Sequence, residues 1–254
     1  MTEHDSRIHR EFLKSGAWER FDELQTDQRK RLPRPPLQQP FPEAAPRVAL
    51  VPPAELTVGT LPLIEVLRRR ESHRQYAETP LTLEELSFLL WATQGVRGLF
   101  REGVATFRTV PSAGARHPFE TYLVVNRVES VKPGLYRYLS LEHELGFLRE
   151  DPELPSRAAE ACNGQPFVAR SAVTFFWTAI PYRTEWRYSI LSPKLIALDA
   201  GHVCQNLYLA AEAIGAGACA VASYDQRLAD ALLGVDGEEE FVIYAAPVGK
   251  VAGP

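Results

Sequence analysis

The sequence predicts an α+β fold, in which helices and strands of unequal length follow one another along most of the chain. Apolar residues recur at helical spacing in several segments, and β-branched and aromatic residues cluster in others. A doubly wound nucleotide fold is disfavoured, because no G-x-G-x-x-G follows a predicted strand and no G-x-x-x-x-G-K-[ST] is present. We therefore expect a sandwich of helices and sheet.

The composition is that of an ordinary globular chain. The 254 residues are 45% hydrophobic and 24% charged, and the formal net charge is −4. Nucleic-acid binding needs a concentrated basic face, which this balance does not favour. No apolar run has the length to span a bilayer and no secretion signal follows Met1, so we expect a cytoplasmic protein without a membrane partner. Three scattered cysteines predict neither a disulfide framework nor a metal site.

The N-terminal quarter differs from the rest in composition. Residues 17–32 mix charges with aromatic side chains and predict an amphipathic helix that docks on something else. Eight prolines in residues 32–53 disfavour regular helix and predict an extended arm. We assign residues 1–60 to this helix and proline-rich arm, and residues 61–254 to the main domain.

The main domain alternates predicted helices and strands. Helical spacing predicts helices over residues 61–70, 82–93, 155–162 and 195–214. Thr82 and Glu85 predict a capping box at the start of the second of these helices. Strands are predicted over residues 120–128, 134–139, 143–148, 167–178, 218–222 and 241–248.

Two short polar motifs predict a site for a flat, anionic cofactor. The segment Arg70-Glu71-Ser72-His73-Arg74 places two guanidinium groups and a hydroxyl within five residues, a set that suits a phosphate and an electron-poor ring edge. Small residues at 112–114, within the run 111–118, let backbone approach a ligand closely. Each motif has a simpler interpretation: the first as the solvated end of a helix, the second as a turn.

At these motifs the sequence resembles the nitroreductase superfamily of flavin-dependent oxidoreductases, and within it the SagB-type dehydrogenases that include thiazole/oxazole-forming oxidases. The matching segments are residues 69–86, 108–122, 198–225 and 247–250, in the order that the family shows. The resemblance implies a nitroreductase-like three-layer sandwich with a central, mainly antiparallel sheet. It also implies a homodimer that binds FMN at the subunit interface.

The resemblance further implies roles for individual residues. Arg70 and Ser72 match positions that hold the FMN phosphate and ribityl chain, and Arg74 matches a cation that faces the pyrimidine edge of the ring. The other implied cofactor contacts are Pro111, Ser112, Ala113 and Gly114 from the partner subunit, the backbone amides of Ala222 and Ser223, and Lys250 near the phosphate.

One position departs from the azoline-oxidising members of the branch. Those members carry a Lys-Tyr pair before the long helix, whereas this chain carries Arg187-Tyr188. Arginine does not lose a proton near neutral pH, so of the two candidate catalytic residues only Tyr188 can serve as acid or base. The alternative is that Trp186 and Tyr188 simply pack the wall of the site.

Three functions are consistent with these features. The first is FMN-dependent, ping-pong hydride transfer from NAD(P)H to a small organic acceptor. The second is a SagB-type azoline dehydrogenase that acts on a peptide and passes electrons to oxygen. The third is a flavin-binding protein without turnover, since no unambiguous acid or base is evident.

Overall fold

Two antiparallel sheets are present in the computed structural model, which describes residues 10–101 and 103–251. The strands within these residues are β1 (Arg47–Ala49), β2 (Val96–Phe100), β3 (Ala105–Arg108), β4 (Phe119–Val125), β5 (Gly134–Leu139), β6 (Glu144–Arg149), β7 (Val173–Ala179), β8 (Ala216–Ala218) and β9 (Phe241–Lys250). Seven of them form one sheet in the order β1-β6-β5-β4-β7-β9-β8, while β2 and β3 form a separate hairpin.

Helices cover both faces of the seven-stranded sheet. The α-helices of the described residues are α1 (Leu63–Arg69), α2 (Leu83–Gln94), α3 (Leu154–Ala161), α4 (Pro166–Ala169), α5 (Tyr182–Tyr188), α6 (Ser192–Ala213) and α7 (Gln226–Leu233). Short 3-10 helices lie at Glu11–Leu13, Gly16–Glu23, Pro53–Glu55, Ala113–Ala115 and Ser189–Leu191.

Successive side chains of β4 point to opposite faces of the sheet and enter two separate apolar cores. Leu123 and Val125 join the apolar cluster formed with α2 and α6, whereas Tyr122 and Val124 join the cluster formed with α3, α4 and α7. Because a strand points successive side chains to opposite faces, each face of the sheet is covered by its own helical layer. The predicted α+β class and three-layer arrangement are confirmed.

Several predicted elements are confirmed with small shifts at their ends. Thr82 begins α2 through the predicted capping box: its hydroxyl accepts from the Glu85 amide, and the Glu85 carboxylate accepts from the Thr82 amide. Strands β4, β5, β6 and β9 and helices α1, α3 and α6 lie where apolar patterning predicts them. Cys162, Cys204 and Cys219 are buried free thiols.

Three predicted segments are wrong in extent or type. The helix predicted over residues 17–32 is a 3-10 helix over Gly16–Glu23, because the Arg29 guanidinium binds the carbonyls of Phe21, Asp22 and Leu24 and ends it there. The strand predicted over residues 167–178 is α4 followed by β7, since proline at a helix start favours one turn of helix first. The strand predicted over residues 218–222 ends at Ala218.

The proline-rich arm lies along the edge of the main sheet. Its strand β1 pairs with β6, and the Phe41 ring packs where only glycine fits, at Gly146. The Gln39 amide donates to the buried Glu120 carboxylate at 2.8 Å, and Arg137 donates to the carbonyls of Gln39 and Pro40. Residues before position 60 therefore contribute an edge strand to the sheet.

Candidate functional site

The segment after α1 is fixed against the edge strand β8. Ser72 bridges to Ala218 in parallel register, and the His73 amide donates to the Ala218 carbonyl at 3.0 Å. A methyl group at Gly217 would lie 2.4 Å from the His73 ring, so glycine is what allows this close approach. The backbone of the predicted cofactor motif is thus held in place by the sheet.

Tyr208, on α6, connects this motif to the loop that follows β8. Its hydroxyl accepts from the Ala220 amide at 2.7 Å and hydrogen-bonds the Ser72 hydroxyl at 3.0 Å. The Arg70 guanidinium carbon lies 5.6 Å from the centre of the Tyr208 ring, within the range of a cation–π contact. Sequence reasoning missed Tyr208; the available signal was a hydroxyl-bearing aromatic next to Leu207 on the buried side of the helix.

Several hydrogen-bond donors among the predicted cofactor residues have no acceptor in the described chain. Arg70 and Arg74 are exposed, and no carboxylate of residues 10–101 or 103–251 forms an ion pair with either. The backbone amides of Ala222 and Ser223 likewise donate to no acceptor within the described chain. Two free guanidinium groups, a serine hydroxyl and open amides match the phosphate, ribityl chain and polar ring edge of FMN. The donor set therefore fits this cofactor.

The second motif is fixed by a buried carboxylate on α6. The Ser112 hydroxyl donates to Asp199 Oδ2 at 2.5 Å and accepts from the His117 amide at 2.9 Å, while the Ala113 amide donates to Asp199 at 3.1 Å. Burial raises the pKa of Asp199, and the bonds from Ser112 and Ala113 oppose that rise. Asp199 was not assigned a role from sequence, although a carboxylate among the apolar positions of a helix is a signal that could have identified it.

The two motifs lie at different levels of α6. Asp199 and Tyr208 are nine residues apart on this helix, which corresponds to about 13 Å along its axis. Within one chain, the helix therefore separates Ser112 from Ser72. The structure brings the members of each motif together but does not bring the two motifs of one chain into contact.

Arg187 and Tyr188 lie beside the second motif. A methyl group at Gly114 would be 2.6 Å from the Tyr188 hydroxyl and 2.9 Å from Arg187 Nε, and the φ of Gly114 is 58°, a value that favours glycine. The rings of Trp18 and Phe21 lie 6.0 and 6.2 Å from the Tyr188 ring. The N-terminal segment therefore covers one side of Tyr188.

Lys250 is engaged inside the fold. Its ammonium forms an ion pair with Glu85, the capping carboxylate of α2, and donates to the Ile214 carbonyl at 2.8 Å. The side chain is 19% exposed. The carboxylate neutralises the ammonium, and the carbonyl accepts a hydrogen bond from it.

The described residues contain neither a metal-ligand cluster nor a membrane-spanning helix. Among residues 10–101 and 103–251, no three His, Cys, Asp or Glu side chains are grouped so as to hold a metal ion. In the same part of the chain, every helix is too short or too polar to cross a membrane.

Comparison with known proteins identifies the family. The sequence profile of the Nitroreductase family matches residues 67–250, which include both motifs and α6. The chain belongs to the Nitroreductase family, and it is accordingly an FMN-dependent oxidoreductase. The nitroreductase-like fold implied by the resemblance is confirmed.

Three individual proteins illustrate the similarity. MJ1384 of Methanocaldococcus jannaschii, assigned as a nitroreductase, is 35% identical over 197 residues, covering 76% of this chain and 93% of the relative. A crystal structure of a Ralstonia eutropha protein described as a nitroreductase has a TM-score of 0.67 at 26% identity, covering 88% of this chain and 100% of the other. The trifolitoxin-processing protein TfxB of Rhizobium leguminosarum bv. trifolii is 28% identical over 146 residues, which are 54% of this chain and 38% of TfxB.

Proposed function

We propose that this protein binds FMN at Arg70, Ser72 and Arg74 and transfers hydride from NAD(P)H to a small organic acceptor. The observation that carries the proposal is the pair of exposed arginines, without counter-charge in the described chain, on a backbone fixed to β8. When bound, FMN supplies the hydride chemistry of its ring. A ping-pong order follows if donor and acceptor use the same face in turn.

The residues of this chain bind and orient the cofactor. Arg70 and the Ser72 hydroxyl are suited to the phosphate and ribityl chain, and Arg74 places a positive charge at the polar edge of the ring. The amides of Ala222 and Ser223, which follow the loop held by Tyr208, offer donors to the ring atoms. A contact between Lys250 and the phosphate stays a prediction, and it requires the ammonium to leave Glu85.

We propose further that two copies of the chain form the complete site. Pro111, Ser112, Ala113 and Gly114 of one copy would then lie beside the Arg70 motif of the other. Supporting this, the two motifs occupy different levels of α6 in one chain. Leu63, Ile64 and Leu67 on α1 are also 62%, 56% and 53% exposed, an apolar face that a second copy can cover.

Anaerobic reduction tests the proposed reaction. The purified protein with FMN is mixed with NADH or NADPH in the absence of oxygen, and the flavin absorbance is followed. We expect rapid bleaching, and recovery of the absorbance when a nitroaromatic acceptor is added after the oxidised nicotinamide has been removed. A flavin that neither nicotinamide bleaches would contradict the proposal.

A second candidate is oxidation of an azoline in a peptide. The similarity to TfxB, whose name describes processing of trifolitoxin, favours it, and Arg187 in place of the expected lysine weighs against it. Bleaching by an azoline-containing peptide but not by nicotinamides would establish this function. Bleaching by none of these donors would instead indicate a flavin-binding protein without turnover.

A further inference from the structure

A cavity of about 250 Å³ lies beside Gly114, between the N-terminal arm, the β2–β3 hairpin and α5. Its walls combine aromatic rings with cations, and the residues that define it are Arg34, Phe100, Phe107, Arg116, Trp186 and Arg187. The family resemblance assigns a role only to Arg187 among these residues. Two of the three guanidinium groups at the cavity, those of Arg34 and Arg116, therefore have no assigned role.

Arg116 is the best fixed of the three cations. It is only 8% exposed, its guanidinium donates to the carbonyls of Gly114 and Val104, each at 3.3 Å, and its Cζ lies 5.4 Å from the Trp186 ring. Burial and the charges of Arg187 and Arg34 lower the pKa of Arg116, so the three groups repel one another. The two carbonyl groups and the Trp186 ring are neutral, so they leave the charge of Arg116 uncompensated.

No counter-charge for the cluster is present in the part of the chain that the structure describes. None of Arg34, Arg116 and Arg187 forms an ion pair with a carboxylate of residues 10–101 or 103–251. Arg116 is buried, Arg187 is half-buried and Arg34 is exposed, and like charges placed around one cavity are unfavourable unless an anion joins them. The arrangement thus indicates a negatively charged ligand.

The arm is fastened so that Arg34 reaches the cavity. Trp186 Nε1 donates to the Leu32 carbonyl at 3.1 Å, and the Gln28 amide donates to the Trp186 carbonyl at 2.8 Å. These two bonds attach the arm to α5 immediately before Arg34. The arm thereby supplies both a wall and a charge to the cavity.

We propose that this cavity binds the carboxylate of a small aromatic acid, with its ring between Phe107 and Trp186. A guanidinium fork matches the two oxygens of a carboxylate, and the aromatic walls match a flat apolar body. The volume is below that of most drug-sized ligand sites, which favours a single-ring acid. As a statement about substrate, this rests on the proposed function: the preferred acceptors of the enzyme are aromatic carboxylates.

Calorimetric titration of the full chain with benzoate and with benzamide tests the binding. The two ligands have nearly the same shape and differ in charge, so we expect benzoate to bind at least about tenfold more tightly. Arg34→Gln removes one exposed cation and should weaken benzoate about tenfold. Arg31→Gln, the same change just before the arm and outside the cavity, should leave the benzoate affinity unchanged. Equal affinities of benzoate and benzamide, or no heat from either, would overturn the proposal.

Turnover with matched acceptors separates this proposal from the proposed function. The kcat/KM ratio of 4-nitrobenzoate to 4-nitrobenzamide should exceed about ten in the parent protein and fall towards one in Arg34→Gln. If the protein binds benzoate but NAD(P)H does not reduce its flavin, the proposed reaction is contradicted and the anion site is supported. If the protein reduces both acceptors equally well, the proposed reaction is supported and the carboxylate site is contradicted.

Discussion

Arg70 and Arg74 lie at the surface, while Ser72 and His73 between them are held by contacts with the rest of the fold. Ser72 is bonded to Tyr208, and His73 is bonded to β8. The backbone is therefore ordered before any ligand arrives, and the two guanidinium groups remain free to bind it. Such preorganisation reduces the entropy that a cofactor must overcome on binding.

Removing either arginine should weaken FMN binding. A hydrogen bond to a charged group contributes about 1.5–3 kcal/mol, so Arg70→Ala and Arg74→Ala should each raise the FMN dissociation constant about ten- to a hundredfold. Quenching of FMN fluorescence on titration measures this. The control is Arg68→Ala, a neighbouring arginine that is bonded to Glu65 at 2.6 Å on the surface. An equal loss in all three variants would indicate a general charge effect instead of a binding site.

His117 makes stability depend on pH. Burial, together with the charge of Arg108, lowers the pKa of His117 from 6.5 to about 3. The unfolded chain therefore takes up a proton below about pH 6.5 while the folded chain does not, so stability falls as the pH falls through this window. Between about pH 7 and about pH 5.5 the loss should be about 1 kcal/mol from this group.

His117→Asn should remove that dependence. The φ of His117 is 46°, and asparagine tolerates this left-handed conformation better than most residues, so the backbone is preserved. Urea unfolding at the two pH values gives the comparison. The same pH dependence in the variant as in the parent would show that His117 titrates normally in the folded protein.

Residue types could be predicted from sequence better than their contacts. Arg70, Ser72 and Arg74 stand out because three polar groups share one short segment. Asp199 and Tyr208 do not stand out, because they act on residues 87 and 136 positions away in the chain. Only the packing of α6 against both motifs shows what these two side chains do.

Among the elements, those with strong local signals could be predicted. The capping box of α2 is local, and the run of β-branched and aromatic residues in β4 indicates a strand without reference to the rest of the fold. The 3-10 helix at Gly16–Glu23 could not be predicted, because Arg29 ends it through contacts with three carbonyl groups. The start and end of α7 carry signals that sequence reasoning passed over: an Asp225 cap and left-handed Gly234.

The attachment of the arm to β4 should depend on Glu120. This carboxylate is 4% exposed and accepts from both Arg183 and the Gln39 amide. Glu120→Gln leaves the Arg183 guanidinium buried without a counter-charge, and such a loss typically costs about 3–5 kcal/mol. Urea unfolding measures the change, and limited proteolysis within residues 32–53 measures release of the arm.

A surface ion pair on the same arm provides the control. Arg47 and Glu144 are 3.2 Å apart, and both side chains are 30% exposed. Glu144→Gln should cost less than about 1 kcal/mol, because exposed pairs contribute little. Equal effects of Glu120→Gln and Glu144→Gln would show that the buried pair does not hold the arm.

The whole molecule divides the work of the site between regions far apart in sequence. The main sheet fixes the segment from Arg70 to Arg74, and α6 fixes the segment around Ser112 at a different level. The arm closes the cavity at Trp186. A single chain thus presents two incomplete parts of the proposed cofactor site. Two copies related by a twofold axis would complete both sites at once.

Complementation between two defective subunits tests this shared site most directly. One subunit carries Arg70→Ala and the other carries Gly114→Ala, which places a methyl group 2.6 Å from the Tyr188 hydroxyl. Sedimentation must first show that each variant alone is a dimer. FMN content is then measured in each variant homodimer and in the purified mixed dimer. If each site joins Arg70 of one copy to Gly114 of the other, both sites are weakened in each variant homodimer, which then retains little FMN, and the mixed dimer holds about one FMN. A mixed dimer that holds no FMN, as expected when each chain forms its own site, would contradict the account.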